Sequence, residues 1–261
     1  RAISAAIRPR VHELVDEQSR LFAQIRAELA DHGIRLLDYP AVPEWHARLR
    51  ERFIDEVFPV LTPLAVDPRH PFPFISSLGL SLAIRLLDPE SKREHIAHVK
   101  VPGILGRLFD IGGGRSILAE ELIAANAAHL FVGHEILDVH AFRVTRDADI
   151  DIQEGEADDL LATIEEELKQ RRFGRAVRLE LEEGAPIAIR ETLVNGLEVA
   201  DDALEEINGV LDLTVASEVA RLPLAELRAP VWHGVTPAAI AAAEPAGEGA
   251  AQCGPDGARL P

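Results

Sequence analysis

The stretch Phe53–Ser77, FIDEVFPVLTPLAVDPRHPFPFISS, sets five prolines (Pro59, Pro63, Pro68, Pro71 and Pro73) between large apolar residues. Each proline fixes φ, lacks an amide donor and biases its predecessor toward extended backbone, so the stretch is neither a continuous helix nor a central strand. Phe58, Leu61, Leu64, Val66, Phe72, Phe74 and Ile75 are too many apolar groups to leave in water, at roughly 1.5–3 kcal/mol per fully buried side chain. A stiff apolar connector is expected, packed against the elements on either side of it.

Upstream, Ile3, Ile7, Val11, Leu14, Gln18, Leu21, Ile25 and Leu29 recur at spacings of three and four, which predicts an amphipathic helix over 3–31 with this stripe inward. Gly33 supplies its stop, and Ile34–Leu37 reads as a short extended piece. A second helix is expected from Pro43 or Glu44 to Pro59, with Trp45, Leu49, Phe53, Val57 and Phe58 on its inner side.

Downstream, alternation over Leu78–Leu87 predicts a half-buried strand, and Ile96–Val101 its antiparallel neighbour. Gly112–Gly114 make a turn and Ile117–Leu130 a helix. Val139–Ile152 reads as a strand, Glu156 to Phe173 as a helix, and Val177–Leu181 as a strand. Pro186 opens a helix to about Val194, Leu204–Leu213 is a strand or loop, and Thr214–Arg221 a short helix. The fold class is therefore α+β: an N-terminal helical part, then a mixed, mainly antiparallel sheet domain with flanking helices. From Ala229 the composition shifts to Ala, Gly and Pro, which reads as a disordered tail. The expected division is 1–58, the end of a helical domain; 59–228, the sheet domain; and 229–261, a linker or tail.

The chain has 261 residues and a net charge of −17, which works against non-specific binding of nucleic acid or anionic membrane. A polyanion could be handled only if the basic residues gather on one surface. Cys253 is alone, so no internal disulfide and no cysteine-built zinc site exist. No apolar run approaches the ~20 residues of a membrane span, and the first residues lack a signal-peptide core, so a cytoplasmic protein is the default.

Ten acidic residues lie between Asp147 and Glu167. Asp147, Asp149 and Asp151 begin like a calcium loop, but Ile152 stands where glycine is required and Asp158 where glutamate is expected, so a solvated acidic edge is the reading. Gly112-Gly113-Gly114-Arg115-Ser116 lacks the spacing and the lysine of a phosphate loop. The ten histidines form no helical ligand pair, and no serine-nucleophile elbow occurs. No catalytic and no metal-binding residue is assigned.

The run VFPVLTPLAVDPRHPFPFIS, followed by LGLSLAIRLLDP, AHVKVP, HAFRVTRDADIDI and EEELKQRRFGRAVRLEL, resembles polyphosphate kinase of the large, phosphohistidine-forming type, over about residues 20–237. It departs from that pattern at Gly106, Asp110 and Val132-Gly133-His134. The resemblance implies the end of an N-terminal helical domain plus the head, or middle, domain, without the C-terminal catalytic domains. In the complete enzyme it implies reversible transfer of the ATP terminal phosphate to polyphosphate through a phosphohistidine, with Mg and ATP, in a cytoplasmic homodimer for which peripheral membrane association is allowed. Inside that enzyme this portion would serve dimerisation and the polyphosphate path; by itself it should be inactive and hold no cofactor. The alternative is a non-catalytic self-association module derived from the head domain. The cluster Lys169, Arg171, Arg172, Arg175 and Arg178 suits a helix C-terminus structurally. Together with Arg69, His70, Arg143 and Arg146 its arginines are also candidates for lining a path for a phosphate chain, since guanidinium offers bidentate donors to phosphate oxygens.

Overall fold

The structure, a computed structural model, describes residues 2–66, 72–147, 174–222, 227 and 234, with 2–6 and 201 known by backbone alone. The expected acidic edge beyond Asp147, the helix from Glu156 and the disordered tail lie outside the described residues. In chain order the helices are α1 (Ala2–Asp31), α2 (His46–Arg52), α3 (Ala119–Ala125), α4 (Ile187–Leu197) and α5 (Ala216–Val219). The strands are β1 (Arg35–Leu36), β2 (Pro63–Val66), β3 (Leu80–Leu87), β4 (Glu94–Lys100), β5 (Leu108–Gly112), β6 (Arg115–Leu118), β7 (Glu135–Arg146), β8 (Ala176–Glu182) and β9 (Leu204–Ile207). Fold class α+β holds: a helical N-terminal part precedes mixed sheets.

Six strands form one sheet in the order β2-β4-β3-β7-β8-β9, antiparallel except for the parallel pair β8–β9. The three others form a small sheet, β1-β6-β5, in which β5 and β6 make a hairpin through Gly113 and Gly114. Ile117 and Leu118, expected in a helix, belong to β6, and α3 begins only at Ala119.

The central strand β3 is buried on both faces, where a half-buried strand was expected. Leu80, Leu82, Ile84 and Leu86 join one core with Val99, Phe109, Ile117 and Leu122; Ala83 lies in a second with Phe142, Leu179, Leu181, Ile189 and Leu193. Ser81 and Ala83 looked like a solvent face because they are small and weakly apolar. Small side chains suit a face on which a helix, here α4, packs closely.

The connector is not uniformly extended. α2 continues into a wide π-helical turn, Phe53–Val57, and a 3₁₀ turn, Phe58–Val60, before β2 takes the margin of the sheet. Pro63 is the first residue of that edge strand, where a missing donor costs no ladder bond. Phe53, Val57, Leu61 and Ile75 are buried as apolar connector residues should be, whereas Phe58, Leu64 and Phe74 stay exposed, against expectation. Phe74 instead lies beneath the Arg146 guanidinium, 4.8 Å from its ring. Phe72 packs against Gly196 of α4 so closely that a Cβ there would overlap the ring.

The sheet-facing side of α1 also differs from the expected stripe. Val11, Val15, Phe22 and Leu29 are half-buried, while Ile7, Leu14, Leu21 and Ile25 are exposed, Ile7 at the rim of a cleft shared with Val177 and Leu204. The phase is set by polar anchors on the inner side: Arg8 pairs with Asp202, His12 with Glu205, and Arg26 with Asp38 and the Leu36 carbonyl.

Glycine inside a helix ordinarily costs about 1 kcal/mol relative to alanine, so Gly196→Ala would stabilise an isolated helix. Here we expect it to lower stability by roughly 1–3 kcal/mol, as overpacking against Phe72 does. A urea midpoint equal to or above that of the unmodified chain would contradict this packing.

Candidate functional site

Of the residues singled out for a phosphate path, Arg143, Arg146, Arg175 and Arg178 are described; Arg69, His70, Arg171 and Arg172 lie outside the described residues. The sheet register brings Arg143 and Arg178 together. Arg143 stands opposite Glu180 and Thr145 opposite Arg178 across β7 and β8, so all four share one face. Both arginines wall a cleft of about 370 Å³, closed by Gln18 and Ser19 of α1 and by Asp212 and Thr214 of the loop after β9.

The two guanidiniums belong to a ladder of alternating charge. Arg178 lies 2.5 Å from Glu205 and 3.0 Å from Glu180. Arg143 lies 3.2 Å from Glu180 and 3.8 Å from Asp212. Arg107, between the η-turn after β4 and β5, continues it to Asp212 at 3.5 Å and to Glu120 of α3, and also donates to the Leu211 carbonyl at 3.0 Å. At the other end His12 Nδ1 is 3.2 Å from Glu205. Three guanidiniums thus face four carboxylates (Glu120, Glu180, Glu205 and Asp212), and the strip carries no surplus of positive charge for a polyanion.

Asp212 sits at φ 55°, ψ 71°, a left-handed conformation uncommon for a residue with a side chain. Its carboxylate accepts from Thr214 Oγ1 at 2.9 Å while it meets Arg107 and Arg143, so local and distant partners hold it there together. Sequence reasoning missed Asp212, Glu205, Glu120 and Arg107. Their ladder partners lie from 13 residues away (Arg107 and Glu120) to 205 − 12 = 193 (His12 and Glu205), and only the strand alternation gave any signal, placing Arg178 and Glu180 on one face.

Arg146 and Arg175 occupy a different place, the ends of β7 and β8. Arg146 Nε donates to the Ile75 carbonyl at 2.8 Å and Nη1 to the Gly174 carbonyl at 2.9 Å, tying the connector's end to the sheet. Burial pulls its pKa down from the ordinary guanidinium value. Arg175 is exposed, and neither arginine has a carboxylate partner among the described residues.

Two further titratable groups are buried. His98 on β4 sits edge-on to Phe142, with ring centroids 6.5 Å apart, and neither ring nitrogen has a hydrogen-bond partner among the described residues. Burial pushes its pKa down, so it is a neutral imidazole. Burial raises Glu121 to about 7, with Asp38 and Glu120 adding to the effect and the Tyr39 amide, 2.5 Å away, opposing it. Among the described residues no three His, Cys, Asp or Glu side chains group as a metal site, and no helix is long and apolar enough to cross a membrane.

A family model described as "Polyphosphate kinase middle domain" matches residues 44–219. The polyphosphate kinase of Thermosynechococcus vestitus is 42% identical over 243 residues, covering 89% of this chain and 33% of the relative. That of Streptomyces coelicolor is 38% identical over 248 residues, covering 94% and 33%. A crystal structure of polyphosphate kinase from Porphyromonas gingivalis shares the fold with a TM-score of 0.68 at 24% identity, over 90% of this chain and 34% of that one. The chain spans about a third of the length of the curated relatives it matches.

Removing one member of a buried pair leaves an uncompensated charge, so Glu205→Ala should cost roughly 1–3 kcal/mol of folding stability, discounted from the fully buried figure because Arg178 is about a third exposed and keeps Glu180. An unchanged denaturation midpoint would contradict a structural ladder. Glu121 gives a pH signature: its folded pKa of about 7 exceeds the ordinary 4.5, so its favourable contribution is complete below 4.5 and is lost as pH rises through about 7. Glu121→Gln should therefore raise the melting temperature relative to the unmodified chain more at pH 8 than at pH 5, and a pH-independent difference would contradict the burial of this carboxyl.

Proposed function

Because the chain belongs to the polyphosphate kinase family through its middle domain, we propose that it is a portion of an enzyme that reversibly transfers the terminal phosphoryl group of ATP to polyphosphate through a phosphohistidine. The observation that carries this reading is the match over 44–219, joined to relatives named polyphosphate kinase along most of the chain. Such a transfer needs a nucleophilic imidazole, cations to neutralise the transferring oxygens, and a metal. The described residues do not fit a magnesium–nucleotide site: they hold no group of three His, Cys, Asp or Glu suited to a metal, and His98 is buried edge-on to Phe142. No chemical step is therefore assigned to this portion, and the catalytic groups are placed in the remainder of the family's length.

Within the complete protein this portion is a rigid support for the polyphosphate path and for dimerisation. Arg143 and Arg178 are balanced by carboxylates of the neighbouring strands, while Arg8 and His12 tie α1 to Asp202 and Glu205. Of the four described candidates, Arg146 and Arg175 are the ones that leave net positive charge for a phosphate chain. A second reading, a self-association module without catalysis, is favoured by one feature, the outward apolar row Ile7, Leu14, Leu21 and Ile25 on α1.

The purified chain incubated with ATP and magnesium is expected to form no polyphosphate and to carry no acid-labile phosphohistidine, whereas the protein translated together with the downstream coding sequence does both. Polyphosphate synthesis by the 261-residue chain alone would overturn the assignment of catalysis elsewhere. A stop codon directly after Pro261 in independent clones would favour the module.

A further inference from the structure

Beyond Arg146 and Arg175, three arginines without carboxylate partners among the described residues lie on neighbouring elements that the sequence did not single out. Trp45, half-buried against the first core, carries two guanidiniums: Arg48 with its Cζ 5.4 Å from the ring centroid, and Arg115 at 5.3 Å. Arg115 on β6 is the register neighbour of Arg35 on β1, so two like charges stand side by side in adjacent strands. That arrangement is destabilising unless an anion screens it. Arg115 Nε donates to the Gly112 carbonyl at 3.1 Å, and its terminal amino groups have no hydrogen-bond partner among the described residues. Among the described residues neither Arg35, Arg48 nor Arg115 forms an ion pair, although Glu44 and Asp110 lie on the same segments; Asp110 turns its Oδ1 to the Gly112 amide at 2.8 Å, and its carbonyl takes Arg52. In a chain of net charge −17, two unneutralised guanidiniums over one indole, with a third arginine on the adjoining strand, are a local concentration of positive charge.

We propose that Arg48 and Arg115, over the Trp45 ring, and Arg35, on the strand beside Arg115, form a docking site for a chain of phosphates. Contact with the indole restrains the Arg48 and Arg115 guanidiniums while N–H groups remain for phosphate oxygens, which suits phosphate recognition at small entropic cost. The adjoining turn is glycine throughout, Gly112–Gly114, so no side chain screens the approach. Gly114 in particular adopts φ +72° and meets the Gly33 backbone where a Cβ would overlap it, which fixes β6 and its arginine against the end of α1. The stretch GGGRS fails as a nucleotide phosphate loop, having neither the spacing nor the lysine, yet its arginine is presented by the fold for an extended anion. This inference rests on the reading of the protein as a polyphosphate enzyme, and it names a point at which this portion holds that substrate.

The test is calorimetric titration of the purified chain with sodium polyphosphate of medium length, compared with poly(U) at matched charge. Binding of polyphosphate is expected, weakened about tenfold to a hundredfold in the R48A/R115A double variant, as expected when two charge-assisted contacts are lost. The slope of log affinity against log salt should fall by about two. The R48K/R115K variant, which keeps charge without the planar fork, should recover only part of the affinity, and circular dichroism with the urea midpoint establishes that each variant is folded. Undiminished polyphosphate affinity in folded R48A/R115A overturns the proposal, as does absence of binding by the unmodified chain. Poly(U) bound as tightly and lost in the same variant overturns the assignment to a phosphate chain in favour of single-stranded nucleic acid. None of these outcomes touches ATP-dependent synthesis by the longer protein, on which the functional reading stands separately.

Discussion

The charge ladder from His12 through Glu205, Arg178, Glu180, Arg143, Asp212 and Arg107 to Glu120 is the constraint on which the arrangement of the described residues depends. It connects α1, β9, β8, β7, the loop at 211–214, the start of β5 and α3. A buried ion pair seldom adds much net stability, because desolvation offsets most of the Coulomb gain. Its effect here is on specificity. Glu205 is almost wholly buried; Arg178 holds it from β8 and His12 meets it from α1, so a rotation or slide of α1 would take one partner from a buried carboxylate, which favours one phase of the helix.

That constraint explains what the sequence could and could not reveal. Alternation located β3, β4, β7 and β8 because strand period and apolar period coincide, and the prolines placed the connector at a sheet margin for the same local reason. The phase of α1 was not legible, since its sequence carries two apolar rows and the polar anchors Arg8, His12 and Arg26 decide between them. Their partners Asp202, Glu205 and Asp38 are ordinary surface-type residues until the chain is folded. Likewise Gly196 reads as a weak point in a helix and is in fact the seat of Phe72.

The site was legible only in part, and for a related reason. Arg143 and Arg178 were found by clustering, which senses charge density but not compensation, and in the fold both are matched by carboxylates on neighbouring strands. Arg35, Arg48 and Arg115 are spread over 80 residues and form no run in the sequence. They converge because β1 and β6 pair in parallel and because Trp45 offers a flat surface between them. Charge left without partners, more than local basicity, is what separates an anion-facing arginine from one that holds a fold.

The central claim is this separation of arginines into balanced and unbalanced sets. It is tested most directly by measuring, on one preparation of Arg178→Ala, both the urea midpoint and the affinity for polyphosphate. The account requires the midpoint to fall, with polyphosphate affinity of the folded variant within about twofold of the unmodified chain, since a neutralised ion pair contributes no phosphate contact. An unchanged midpoint with affinity reduced about tenfold or more would contradict it, because Arg178 would then be a phosphate ligand and the ladder an incidental pairing.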